Sequence, residues 1–212
     1  MAMPRLLGRA AVAVGAVVAA ACSSTTFNST WSAPDAGPLS LGEGTRVIAL
    51  VVSSSPAQRR DFETAVVSEL NQHGLDALAA YTVVPEDVAR DSEKARPYIQ
   101  KAGARYALIL QVKGMDQQSA GAPVVPTAGR WMGPSQFWGP AWGGWGWGWG
   151  TDIRADTAVS VQSLLYDIEA NELVWAGQSE TMNPTRAAGF MRELVRSIGD
   201  ELREAGLVGP AR

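Results

Sequence analysis

Six of the eight tryptophans fall between residues 131 and 149: Trp131, Trp138, Trp142, Trp145, Trp147 and Trp149. Trp145-Gly146-Trp147-Gly148-Trp149 alternates with a period of two. In extended backbone its three indoles share one face, about 6.5–7 Å apart. The glycines between them allow close backbone approach and cost entropy to order. One large aromatic buries about 150–250 Å², so four would cover about 600–1,000 Å². That equals or exceeds the largest apolar patch of a typical monomer. Such a segment must fold over its own domain or meet something. Three partners suit it: a membrane interface, a glycan whose sugar rings stack on indole faces, or a protein that accepts Trp anchors.

The remaining candidates for chemistry are few. Ser53-Ser54-Ser55 follows an apolar run, where nucleophiles can sit, but it lacks a Gly-x-Ser-x-Gly elbow. Ser55-Pro56 reads better as a helix N-cap and N1. His73 has Asp76 nearby, yet it falls at a helix C-terminus, where an imidazole meets a favourable dipole. Gly144, Gly146 and Gly148 lack the strand-loop-helix context and the Lys of a phosphate loop. One His and one Cys argue against the usual zinc sites. The expectation is no catalytic residue, no cofactor and no metal, hence a protein that is not an enzyme.

The single Cys is Cys22. Ahead of it, Arg5 and Arg9 form a basic start, and residues 10–21 form an uncharged apolar run. That run is shorter than the ~20 residues needed to span a bilayer. It suits the apolar core of a signal peptide. Val18-Ala19-Ala20-Ala21-Cys22 resembles the bacterial lipobox, in which the Cys becomes the lipid-modified first residue of the mature chain. By that resemblance Cys22 carries a thioether-linked diacylglycerol and an acylated amino group (palmitate in type). Ser23 in place of Asp implies sorting to the outer membrane, facing the periplasm. More than one acyl chain gives stable anchoring. Loss of Arg5 and Arg9 leaves 16 basic against 21 acidic side chains, a net charge of −5. That balance is poor for nucleic acid, whose binding rests on phosphate neutralisation.

The elements that must position these residues follow from periodicity. Residues 1–21 are the signal peptide. Residues 22–45, rich in Ser, Thr, Gly and Pro, read as a lipidated Cys and flexible tether. Residues 46–206 read as one α/β domain. In it, 46–53 is a buried strand, and a helix runs to about His73 on a stripe of Phe62, Ala65, Val66 and Leu70. Residues 77–84 read as a second strand, and 86–102 as helix in two pieces around Pro97. A third strand covers 105–113, and a Gly/Trp-rich insert fills 114–153. Strands 154–167 and 172–182 form a hairpin turning at Glu169-Ala170-Asn171. A last helix, 185–205, presents Phe190, Met191, Leu194, Val195, Ile198 and Leu202. The expected fold is one mixed sheet with helices packed on it, containing parallel members joined by right-handed crossovers.

A lipobox, then βαβαβ, a hairpin with Leu165-Tyr166-Asp167 and Leu173-Val174-Trp175-Ala176-Gly177, and a C-terminal helix resemble a group of small bacterial envelope lipoproteins. The group shares the domain of the curli-secretion lipoprotein CsgG, the amino-terminal domain of TolB and the activator LpoB, and includes lipoproteins of the DUF4136 kind. The resemblance covers about residues 45–206. It implies a binding or assembly module of the envelope, with a periplasmic protein or peptidoglycan as partner. An envelope hydrolase and an oligomeric subunit of a secretion or assembly complex are the rival classes.

Overall fold

The computed structural model describes residues 25–41, 45–53, 55–89, 92–116, 158–182, 184 and 187–208. They build one six-stranded sheet: β1 (Thr25–Ser32), β2 (Arg46–Val52), β3 (Asp76–Ala79), β4 (Ala104–Asp116), β5 (Ala158–Asp167) and β6 (Glu172–Met182). The spatial order is β1-β6-β5-β4-β2-β3. β3, β2 and β4 are parallel, whereas β4, β5, β6 and β1 are successively antiparallel. The helices are α1 (Pro56–Gln72), α2 (Ala80–Val83), α3 (Ser92–Lys101) and α4 (Ala187–Glu204). The expected mixed α/β architecture is therefore the observed one.

β2 reads Arg-Val-Ile-Ala-Leu-Val-Val; strands flank both of its edges and helices cover both of its faces, so it is buried almost throughout. Val47, Ala49 and Val51 point to one face, where α1 supplies Phe62, Val66 and Leu70. α4 covers the same face with Phe190, Met191, Leu194, Val195, Ile198 and Leu202, the stripe its period predicts. Ile48 and Leu50 point to the other face, with Ala80 of α2 and Ala95 and Ile99 of α3. Ser55 Oγ accepts from Gln58 N (3.4 Å), with Pro56 in the first turn, so α1 starts where its capping signal lies.

Three expectations are corrected. The tether assigned to 22–45 is structured over much of its length. Thr25–Ser32 is the edge strand β1, because its Thr, Phe and Trp side chains fit a pleated, half-buried surface and β6 offers an unpaired edge. Phe27 packs edge-on against Trp175, ring centroids 5.8 Å apart. Leu39 N then bonds Leu207 O (2.7 Å), and Ala36, Leu39 and Leu41 close over the helix-covered core. The strand expected over 77–84 ends at Ala79 and turns into α2, because Tyr81 N donates to the buried Glu63 Oε2 (2.7 Å). The helix expected in two pieces around Pro97 is one element beginning at Ser92. Pro97 stands inside this helix and forfeits one backbone bond to the preceding turn. The hairpin turns where expected: Asp167 Oδ1 accepts from Glu169 N and Ala170 N (3.0 Å each), and Asn171 takes φ 59°. β4 runs on to Asp116 and β5 is described from Ala158, so both bounds of the expected insert shift; residues 117–157 lie outside the described residues.

Candidate functional site

The parallel strands end beside a cavity of about 210 Å³ lined by Pro56, Arg59, Arg60 and residues 81–86. It is smaller than the ~300–1,000 Å³ of ordinary ligand pockets. Glu63 does not line it but is fully buried against two residues that do: Oε1 accepts from Arg59 Nε (2.8 Å) and also from Val51 N (3.2 Å), and Oε2 accepts from Tyr81 N (2.7 Å). Burial pushes the Glu63 carboxyl above the usual range, while Arg59 and the backbone donors pull it partway back. Arg60 pairs with Glu86 at the rim (2.9 Å), and Tyr81 Oη meets Thr64 Oγ1 (3.0 Å). These groups join β2, α1 and α2 to one another.

The other singled-out side chains are similarly engaged. Ser53 Oγ accepts from Ser55 N (3.2 Å), and Ser55 caps α1. His73 Nε2 meets Glu69 Oε1 (3.3 Å), which also accepts from Arg196 Nε of α4 (2.5 Å). Asp76 pairs with Arg46 (2.9 Å) rather than with His73. Among the described residues no three His, Cys, Asp or Glu side chains gather as a metal site.

Cys22, the six clustered tryptophans and Gly144, Gly146 and Gly148 lie outside the described residues. The described residues include their points of attachment. One row across the sheet reads Thr25–Thr181–Val159–Met115, and the next reads Met182–Ala158–Asp116. Thr25 follows Cys22 by three residues. Asp116 and Ala158 bound the segment that carries the tryptophans. The two segments singled out by sequence thus join the fold at the same end of the sheet. Thr25 is fixed there: its N–H donates to Glu193 Oε1 (2.9 Å), and its hydroxyl meets that of Thr181 (2.7 Å). Sequence reading missed this because it took Thr25–Ser32 for tether. The alternating Thr-Phe-Ser-Trp pattern was the available signal.

The architecture defines a mixed α/β class built on one open six-stranded sheet. No family model matches the chain, and no curated protein matches it. Among solved structures it is similar to the PelC dodecamer from Paraburkholderia phytofirmans, at 13% identity and TM-score 0.48 over 89% of this chain and 100% of that one. It is similar to lipoprotein GNA1162 from Neisseria meningitidis, at 12% identity and TM-score 0.38 over 76% and 97%. The LpoB C-terminal domain from Salmonella enterica gives 12% identity and TM-score 0.38 over 68% and 87%.

Proposed function

We propose that this chain is a non-enzymatic, lipid-anchored lipoprotein of the bacterial envelope, a binding or assembly module. Cys22 is its anchor, and the segment with Trp131, Trp138, Trp142, Trp145, Trp147 and Trp149 is its recognition element for a periplasmic protein or cell-wall glycan. One observation supports the reading above the rest: anchor and Trp-rich segment join the sheet at one end, rows Thr25–Met115 and Met182–Asp116. Support for a non-catalytic role comes from the engagement of Ser55, Glu63, Glu69 and His73 in caps and element-to-element bonds. The test compares the detergent-solubilised full chain with a variant carrying Trp142, Trp145, Trp147 and Trp149 changed to Ala. Envelope partners and co-sedimentation with peptidoglycan are scored for both. Loss of a partner or of glycan binding in the variant is expected; identical behaviour of the two would overturn the recognition role.

A further inference from the structure

Sequence reading left the domain on a 23-residue leash, which as a coil would hold it roughly 25 Å from its lipid. β1 removes most of that leash. Thr25 lies three positions after Cys22, a reach of at most about 11 Å. A headgroup layer is about 5–8 Å thick, the difference between the hydrocarbon core and the whole bilayer shared between two leaflets. A thioether-linked glycerol at Cys22 sits at the base of that layer. Thr25 then stands within a few ångströms of the lipid surface, and β1–β6 pairing fixes Thr25 to its whole row.

We infer that the sheet end formed by Thr25, Thr181, Met182 and Ala158 rests against the lipid bilayer, with the strands rising away from it. The inference rests on the lipid-anchor part of the proposed function. Met182 is exposed at this end, with 47% of its surface open, one of two large apolar side chains so exposed among the described residues. A side chain of this type on the row facing the headgroups loses water contact when the end is seated. The chain leaves β4 and re-enters β5 here, so the segment richest in a residue favoured at membrane interfaces is tied to the same end. The acidic neighbours Glu180 and Glu193 stand near it, so the seating is apolar and covalent rather than an attraction to anionic lipid. The opposite end, the turn at residues 168–171, lies about 30 Å away along the ten residues of β5.

The test uses the full acylated chain in vesicles of phosphatidylcholine and phosphatidylethanolamine. Cys22 has no free thiol once it is a thioether, so single cysteines can be labelled at Met182→Cys, Thr30→Cys and Glu169→Cys with an environment-sensitive fluorophore. Nitroxide headgroup lipid is the quencher. Strong quenching at 182, with little at 30 and none at 169, is the expected result. Equal quenching at 182 and 30 would place the β1 edge flat on the membrane and overturn the inference, as would the absence of quenching at 182. Mass spectrometry of the same sample separates the two readings. A lipidated Cys22 without quenching at 182 removes the orientation alone. An unmodified Cys22 removes the anchor and the orientation together.

Discussion

Gly177 shows how one residue decides the packing of this sheet. A Cβ built there would lie 2.5 Å from the Trp175 ring and 2.6 Å from that of Phe27. Trp175 is fully buried, so its ring has no route of escape. Gly177→Ala therefore forces apart the contact that fastens β1 to β6. The expected cost is about 1–3 kcal/mol, read as a lower urea midpoint of the soluble domain's unfolding, with blue-shifted Trp fluorescence lost earlier. An unchanged midpoint would show that the rings shift freely. Glu63 governs a different observable. Its folded carboxyl titrates above its unfolded value because it is buried. The folded state consequently holds this proton more tightly, so the Glu63 contribution to stability is full below about pH 4.5 and is lost as pH rises through the folded pKa. Glu63→Gln has no such titration. Urea unfolding between pH 4.5 and 7 should show the wild type with a more negative slope of stability against pH than Glu63→Gln. Parallel slopes would contradict this.

At the scale of elements, β1 is the most informative piece. Removing residues 25–41 would open the edge of β6, strip Phe27 from Trp175 and uncover the core under Leu39 and Leu41. An unpaired β6 edge is a template for other strands. The expected outcome is a protein that aggregates during refolding, seen by light scattering, whereas loss of residues 23 and 24 alone leaves a monodisperse product. Legibility followed the same lines. The buried run of β2, the Ser55-Pro56 cap, the α4 stripe and the Asp167 hairpin were readable because each depends on neighbours within a few residues. β1 was not, since its partner lies some 150 residues on (Thr25 pairs Thr181) and its Ser and Thr content is also that of a linker. α2 escaped for a similar reason: its cap is Glu63, a distant side chain. Of the candidate site, the residue types were legible, while their common attachment to one sheet end depended on register.

For the molecule as a whole, the two faces of the sheet are unequal. α1 and α4 cover one with a continuous core from Val47 to Leu207, and the cluster on the other is smaller, built on α2 and α3. Glu69 ties the first pair together, fully buried and bonded to Arg196 of α4. This helix-covered layer is the rigid body that any anchor or partner must act on. If the recognition role is correct, alanine replacement of the four tryptophans changes partner binding without changing the unfolding midpoint. A shared loss of both would mean that the segment serves the fold.

The pairing of the first strand with the last has one more consequence, and it concerns time. Thr25 meets Thr181 across 156 positions of chain. Closing a loop of that length costs about 4–5 kcal/mol of chain entropy before any contact repays it. Contacts of such long range form slowly. In a chain exported and anchored as proposed, Thr25 emerges early and its neighbour Thr181 is among the last segments to arrive. The proposed anchor would then hold the first strand in place before the sheet is completed, and the last act of folding would be the arrival of β6 beside a strand already pinned.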